Sequence, residues 1–165
     1  MCYNIIKMRE GKPTKPERDK KMKKNNNVKS YIYFAKNGVC EREMKIGETG
    51  NMEQRQNMLW STERMEVNRY VSFKGTKDER LFIESYLRAK YSANNNLRHF
   101  GNDHFKAQTR NNLKGAENKF FVYVAEAFAL LEQIKDRQIP FHAYTGRFSR
   151  YHAYLEELNE LTEED

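Results

Sequence analysis

Five side chains have types and spacings suited to chemistry on a charged substrate: Tyr31, Tyr33, Lys45, Arg55 and Glu84. Phenols donate and relay protons, an amine or a guanidinium holds an anion, and a carboxylate holds a divalent cation. Two of the five stand among apolar neighbours. Arg55 falls on one helical stripe with Met52, Met58 and Leu59, and Glu84 falls on another with Leu81, Leu87 and Tyr91. A buried carboxylate is costly unless it is paired or bound to metal. An arginine on an apolar stripe is out of place unless it is aimed at something.

The elements that must position these groups are legible from the local pattern. Tyr31–Lys36 and Met44–Gly47 read as strands flanking a seven-residue polar connection, Asn37–Glu43, which makes a hairpin with a long loop. Side chains alternate along a strand, so Ile32, Phe34, Met44 and Ile46 face a core while Tyr31, Tyr33, Lys45 and Gly47 face the other way. Thr49-Gly50-Asn51 then turns the chain into a helix over about 51–61, with Asn51 as N-cap and Gln54 completing a capping box.

Met65–Lys74 predicts a third strand, Asp78–Ser92 a second helix, and Ala93–Asp103, with its Asn94-Asn95-Asn96 run, a surface loop. Phe120–Gln138 has the period of a well-buried helix ended by Pro140, although Phe120–Val124 also suits a strand. Ser149–Thr162 predicts an amphipathic helix with an acidic outer face, either solvated or laid against a basic neighbour or a partner. The expected fold is α+β: a small, three-stranded, mostly antiparallel sheet packed by helices. Three segments follow: a basic flexible arm over 1–28, a central domain over 29–107 and a helical C-terminal extension over 108–165. Within the arm, Met1–Met8 holds enough apolar residues for an added strand.

The formal charge is +7. Residues 1–30 hold ten basic and three acidic side chains, and residues 154–165 hold six acidic and no basic ones, which leaves +6 on residues 31–153. A basic central region draws in polyanions by counterion release without reading their sequence. No apolar run approaches the ~20 residues that span a bilayer, and the N-terminus lacks the apolar core of a secretory signal. Cys2 and Cys40 are isolated, which favours a reduced, cytoplasmic setting over a disulfide framework. Neither cysteine makes a zinc spacing with His99, His104, His142 or His152, so no structural zinc is expected.

The ordered set Tyr31-Ile32-Tyr33, Lys45-Ile46-Gly47, Arg55, Glu84 and Gly101-Asn102-Asp103-His104-Phe105 resembles the GIY-YIG nuclease superfamily over about residues 29–107, in particular the phage-type branch whose second motif reads Lys-Ile-Gly. The resemblance implies a divalent-metal-dependent endonuclease that hydrolyses DNA phosphodiester bonds to 5′-phosphate and 3′-hydroxyl ends, working in the cytoplasm of a bacterial host. Glu84 matches the metal-binding glutamate, with Mg²⁺ or Mn²⁺ as cofactor. Tyr33 takes the position of the general base or its relay, with Tyr31 beside it. A phenol has a reference pKa of about 10, and Lys45, on the same face, is expected to supply the field that favours phenolate. Arg55 would hold the scissile phosphate in two-point contact. Lys45, Gly47, Arg55 and His104 form the expected nucleic-acid contacts.

Each residue also has a structural reading. Tyr31 and Tyr33 suit cross-strand aromatic pairs, Lys45 an exposed amine, Gly47 a tight bend or close backbone approach, and His99 and His104 plain surface positions. An Arg55–Glu84 salt bridge would explain both inward charges without catalysis. The chain departs from the family pattern at Lys45, which replaces the second tyrosine, and at Leu59, where many members carry His or Tyr one turn after the arginine. Asn102 is the candidate for the late asparagine of some branches. Two other functions compete: a non-catalytic nucleic-acid-binding module on the same scaffold, and a protein-interaction factor acting through the C-terminal helices. DNA is the expected partner, with RNA kept open. No appended zinc finger or helix-turn-helix is present to read bases.

Overall fold

The computed structural model describes residues 7–10, 29–101, 103–136 and 160. They form β1 (Lys7–Glu10), β2 (Lys29–Asn37), β3 (Glu43–Thr49), α1 (Met52–Glu63), β4 (Met65–Lys74), α2 (Lys77–Ser92), β5 (Leu97–Phe100), β6 (His104–Ala107) and α3 (Arg110–Asp136). The class is α+β. One sheet runs in the order β1-β4-β2-β3-β6-β5, and every neighbouring pair is antiparallel.

Six strands replace the expected three. β1 lies inside the stretch read as a flexible arm and pairs with β4, Lys7 opposite Ser72 and Glu10 opposite Arg69. β5 and β6 occupy the stretch read as a surface loop and its closing turn. Each has four residues, and Phe100 pairs with His104 around a turn in which Gly101 has φ 68°. That left-handed backbone suits glycine.

The central strands are buried on both faces. On one face Ile32, Phe34, Met44, Ile46, Val71 and Phe73 pack with α2 and α3. On the other, Tyr33, Ala35, Val67 and Tyr70 pack with Met52 and Leu59 of α1. The face carrying the tyrosines is therefore covered by α1 over much of its width. Asn51 caps α1 as its sequence predicts, its side chain accepting from the Gln54 amide at 3.1 Å. Met58 leaves the predicted stripe and is 41 % exposed.

A bulge in β4 sets which residues reach each face. Phe34 pairs with Arg69 but Ala35 pairs with Val67, leaving Asn68 as the extra residue, whose side-chain oxygen accepts from the Lys36 amide at 3.2 Å. Val67 is thereby turned toward α1 and Arg69 toward α3. Arg69 Nη2 lies 3.5 Å from Glu117 of α3, which also takes Lys36 Nζ at 2.8 Å.

α3 begins at Arg110, ten residues before the predicted start at Phe120, so Phe120–Val124 is helix rather than strand. Leu113, Ala116, Phe120, Val124, Ala127 and Leu131 join the core shared by the sheet and α2. The Tyr91 hydroxyl donates to the Ala116 carbonyl at 2.7 Å, fixing α3 against α2. The predicted helix Ser149–Thr162 lies outside the described residues apart from Glu160, as do residues 1–6, 11–28 and Cys2. Cys40 is a free cysteine. Among the described residues no helix is long and apolar enough to cross a membrane.

Candidate active site

The site grows out of the β2–β3 register. Tyr33 pairs with Gly47, and the phenol of Tyr33 lies directly over the Gly47 backbone. A Cβ at position 47 would collide with the Tyr33 hydroxyl and ring. Gly47 is thus required by close approach. Tyr33 is 1 % exposed, and its hydroxyl has no hydrogen-bond partner among the described residues. Burial pushes its pKa above the ordinary tyrosine value, the Arg55 cation pulls it back, and Glu84, Asp103 and Glu63 add to the rise. Tyr31 stands two residues away on the same face, half-buried, its ring 6.2 Å from that of Tyr70 and 5.5 Å from Lys29 Nζ.

Arg55, on the first turns of α1, is the cation acting on Tyr33. The expectation that Lys45 supplies this field is corrected, because the Lys45 ammonium is engaged elsewhere. Among the described residues Arg55 has neither a side-chain hydrogen bond nor an ion pair. The Arg55–Glu84 salt bridge is not formed.

Glu84 comes from the middle of α2 and is 6 % exposed. One of its oxygens accepts from Arg88 Nη2 at 2.8 Å, an i,i+4 pair within the helix. Burial pushes its carboxyl up to about 7, the Arg88 cation pulls it down, and the charges of Glu48 and Asp103 add to the rise. Glu48 itself pairs with Arg80, whose guanidinium also donates to Ser30 Oγ at 3.3 Å. The second oxygen of Glu84 has no hydrogen bond among the described residues. Among those residues no three His, Cys, Asp or Glu side chains converge as a metal site. A single carboxylate still fits Mg²⁺, which keeps most of its waters and shares the rest of its shell with substrate phosphate.

Lys45 is 7 % exposed and sits in a cluster of opposite charges. Its Nζ lies 3.1 Å from Glu63 Oε1 and 3.4 Å from Asp103 Oδ2. His104, opposite Lys45 in the β3–β6 register, reaches Glu63 through Nε2 at 3.0 Å and Asp103 through Nδ1 at 3.0 Å. Burial opposes ionisation of Glu63, but hydrogen bonds and charge from Lys45 and His104 outweigh it and hold the carboxyl below its ordinary value. The cluster ties the end of α1 to β3 and to the β5–β6 turn.

The charges of Arg55 and Glu84 thus both act on Tyr33, which lies over Gly47, while Lys45 and His104 are committed to Glu63 and Asp103. Glu63 and Arg88 were not anticipated from the sequence, and Asp103 only as a member of the Gly101–Phe105 motif, without a partner. Arg88 was available as the i+4 partner of Glu84. Glu63 carried a weaker signal: an acid at the last residue of α1 opposes the helix dipole, so it needs a partner outside the helix. Comparison of the chain with protein-family models, with curated proteins and with solved structures finds no match.

Proposed function

We propose that the protein is a divalent-metal-dependent endonuclease of the GIY-YIG type, hydrolysing DNA to 5′-phosphate and 3′-hydroxyl ends. The observation that carries this reading is the Arg55 guanidinium acting on the Tyr33 hydroxyl, neither of them with a side-chain hydrogen bond or ion pair among the described residues. With no protein partner among the described residues, both groups stay available to a ligand that reaches this face. A phosphodiester supplies both needs, with two oxygens for Arg55 and an attacking water for Tyr33.

In this reading Arg55 holds the scissile phosphate and offsets its charge. Tyr33 rests in the neutral form that burial favours and acts as a relay: its oxygen takes a proton from the attacking water as its own hydroxyl proton passes to solvent, a transfer eased by Arg55. Water adds to phosphorus as the bond to the 3′ oxygen breaks, and that oxygen takes up a proton from solvent to become the 3′-hydroxyl. Glu84 would hold a divalent ion, which when bound offers charge relief at the leaving 3′ oxygen. Lys45 acts through position, drawing Glu63 and Asp103 together at the edge of the site. GIY-YIG likeness of the fold, Mg²⁺ or Mn²⁺ as cofactor, DNA as partner and a cytoplasmic setting in a bacterial host all belong to this proposal.

The test is incubation of the purified full chain with supercoiled plasmid, with and without Mg²⁺, beside Glu84→Ala. Metal-dependent nicking that is lost in the variant is the expected result. Equal cleavage by both proteins overturns the role of Glu84. Salt-sensitive DNA binding without cleavage in Mg²⁺ or Mn²⁺ would favour a non-catalytic binding module, a reading that the Glu84–Arg88 pair also accommodates.

A further inference from the structure

The sheet face that carries Tyr33 and Lys45 continues past α1 onto β6 and β5. Lys45 pairs with His104 and His104 with Phe100, while Glu43 pairs with Lys106 and Lys106 with Arg98. By the two-residue alternation of strands, Lys45, Glu43, His104, Lys106, Phe100 and Arg98 all point to one side. Leu97, Phe105 and Ala107, on the opposite side, enter the core beneath α2 and α3. The six residues therefore extend the candidate site laterally.

This extension presents an aromatic ring and two cations. Phe100 is 39 % exposed, with its ring 5.6 Å from that of His104 at an interplanar angle of 32°. Arg98 is exposed and Lys106 half-buried, and among the described residues neither has a hydrogen bond or an ion pair from its side chain. Together with Glu43 they line a shallow pocket. Glu43 is the acid in that pocket, and its Oε2 accepts from Asn37 Nδ2 at 3.1 Å. Aromatic rings interleaved with unpaired cations on an open sheet suit unpaired nucleotides. Bases stack on the ring, and phosphates meet the cations.

We infer that the Arg98–Phe100–Lys106 surface binds unpaired nucleotides of a nucleic-acid strand, with a base stacked on Phe100 and phosphates held by Arg98 and Lys106. The inference rests on the proposed function in taking this strand to be continuous with the phosphate at Arg55. It adds to that function a preference for substrates with a single-stranded segment beside the cleaved bond. A flush duplex keeps its bases stacked within the helix and cannot offer one to Phe100.

The experiment measures anisotropy of a labelled single-stranded oligothymidylate, and of a labelled duplex of the same length, with the full chain in EDTA so that binding is read apart from cleavage. Phe100→Ala is expected to weaken single-strand binding about ten-fold, within the range of losses for a stacking side chain, and to leave duplex binding within two-fold. Arg98→Gln with Lys106→Gln is expected to weaken single-strand binding and to lower its salt slope by roughly 1.4, the value for two phosphate contacts. The charge-matched control, Lys114→Gln with Lys119→Gln, changes exposed lysines of α3 and should have less than a two-fold effect. None of the five positions is buried, so each protein is expected to fold. Losses shared equally by the duplex or the control, or none in the two test proteins, overturn the inference. Binding through this surface by a chain that cuts nothing would overturn the nuclease and leave the platform. Cleavage that none of these changes affects, with single-strand binding intact, would do the reverse.

Discussion

The Tyr33 phenol and the Gly47 backbone occupy adjoining space so closely that position 47 has no room for a β-carbon. Tyr33 cannot give way, because it is packed among Ala35, Met52, Leu59, Val67 and Tyr70. Gly47→Ala should therefore destabilise the fold by about 1–3 kcal/mol through overpacking, well beyond the few tenths to ~1 kcal/mol that alanine gains over glycine in a strand. If the conflict is with Tyr33 alone, Gly47→Ala will cost nothing further in a Tyr33→Ala background. Urea denaturation of the two single variants and the double variant measures that coupling.

Arg55 offers the cleanest separation of stability from activity. It forms no ion pair or side-chain hydrogen bond among the described residues, so Arg55→Ala should leave stability within about 0.5 kcal/mol. Cleavage should fall at least about 100-fold, as for loss of a charge-stabilising group at a reacting centre. Arg55→Lys should recover little, since an ammonium lacks the planar fork. Thermal melts and plasmid nicking on the same preparations decide it, and a large loss of stability would reassign Arg55 to a structural role.

Glu84 makes a pH-dependent contribution whose sign is fixed by its raised carboxyl. The folded state holds its proton up to about pH 7, whereas the ordinary value is 4.5. Folding therefore takes up a proton between those limits, and stability falls as pH rises through that window. The full penalty is about 3 kcal/mol at pH 8, from ~1.4 kcal/mol per pH unit. Glu84→Gln should flatten the slope between pH 4.5 and 7 and should be the more stable protein at pH 8, while cleaving nothing. In the native protein, cleavage should rise with pH as Glu84 ionises. An unchanged slope in the variant would show that the carboxyl is ionised throughout.

The Lys45 cluster has the opposite sign. The carboxyl of Glu63 is held below its ordinary value, so its contribution is present at neutral pH and is lost as pH falls through the folded-state value. Glu63→Gln should cost on the order of 1 kcal/mol at pH 7, typical of a lost charged hydrogen bond at a partly exposed site. The difference from the native protein should shrink in acid. A denaturation series from pH 7 down to pH 3 reads both effects.

The parts of this fold that could be read from sequence are those set by short-range pattern. Ile32, Phe34, Met44 and Ile46 alternate over a hairpin, and Asn51 and Gln54 mark the start of α1, so those elements stand where expected. The parts that could not be read depend on distant partners. Leu113, Ala116 and Phe120 have helical spacing, but Glu117 interrupts the apolar pattern. Glu117 is buried only because Lys36 and Arg69 reach it from the sheet. β5 and β6 are too short for their alternation to stand out in an Asn-rich stretch, and β3 supplies the edge on which they form. The bulge at Asn68 likewise puts Val67 and Tyr70, three residues apart, on one face, a spacing that regular alternation forbids. At the site, Tyr33, Gly47, Arg55 and Glu84 could be named from type and stripe, whereas the carboxylates that engage Lys45 come from the end of α1 and the β5–β6 turn.

The strand order carries a kinetic consequence. β4, β2 and β3 lie side by side at the centre of the sheet and come from one unbroken stretch, residues 29–74. β1 and the β5–β6 hairpin are added at the two edges. Closing the short loops of the centre loses little chain entropy, so this unit is the natural nucleus and the edges dock on it afterwards. Amide exchange in the native protein should follow the same order, slowest in β2 and fastest in the outer strands. On that expectation, the strands that carry Arg98, Phe100 and Lys106 open before the rest of the molecule unfolds.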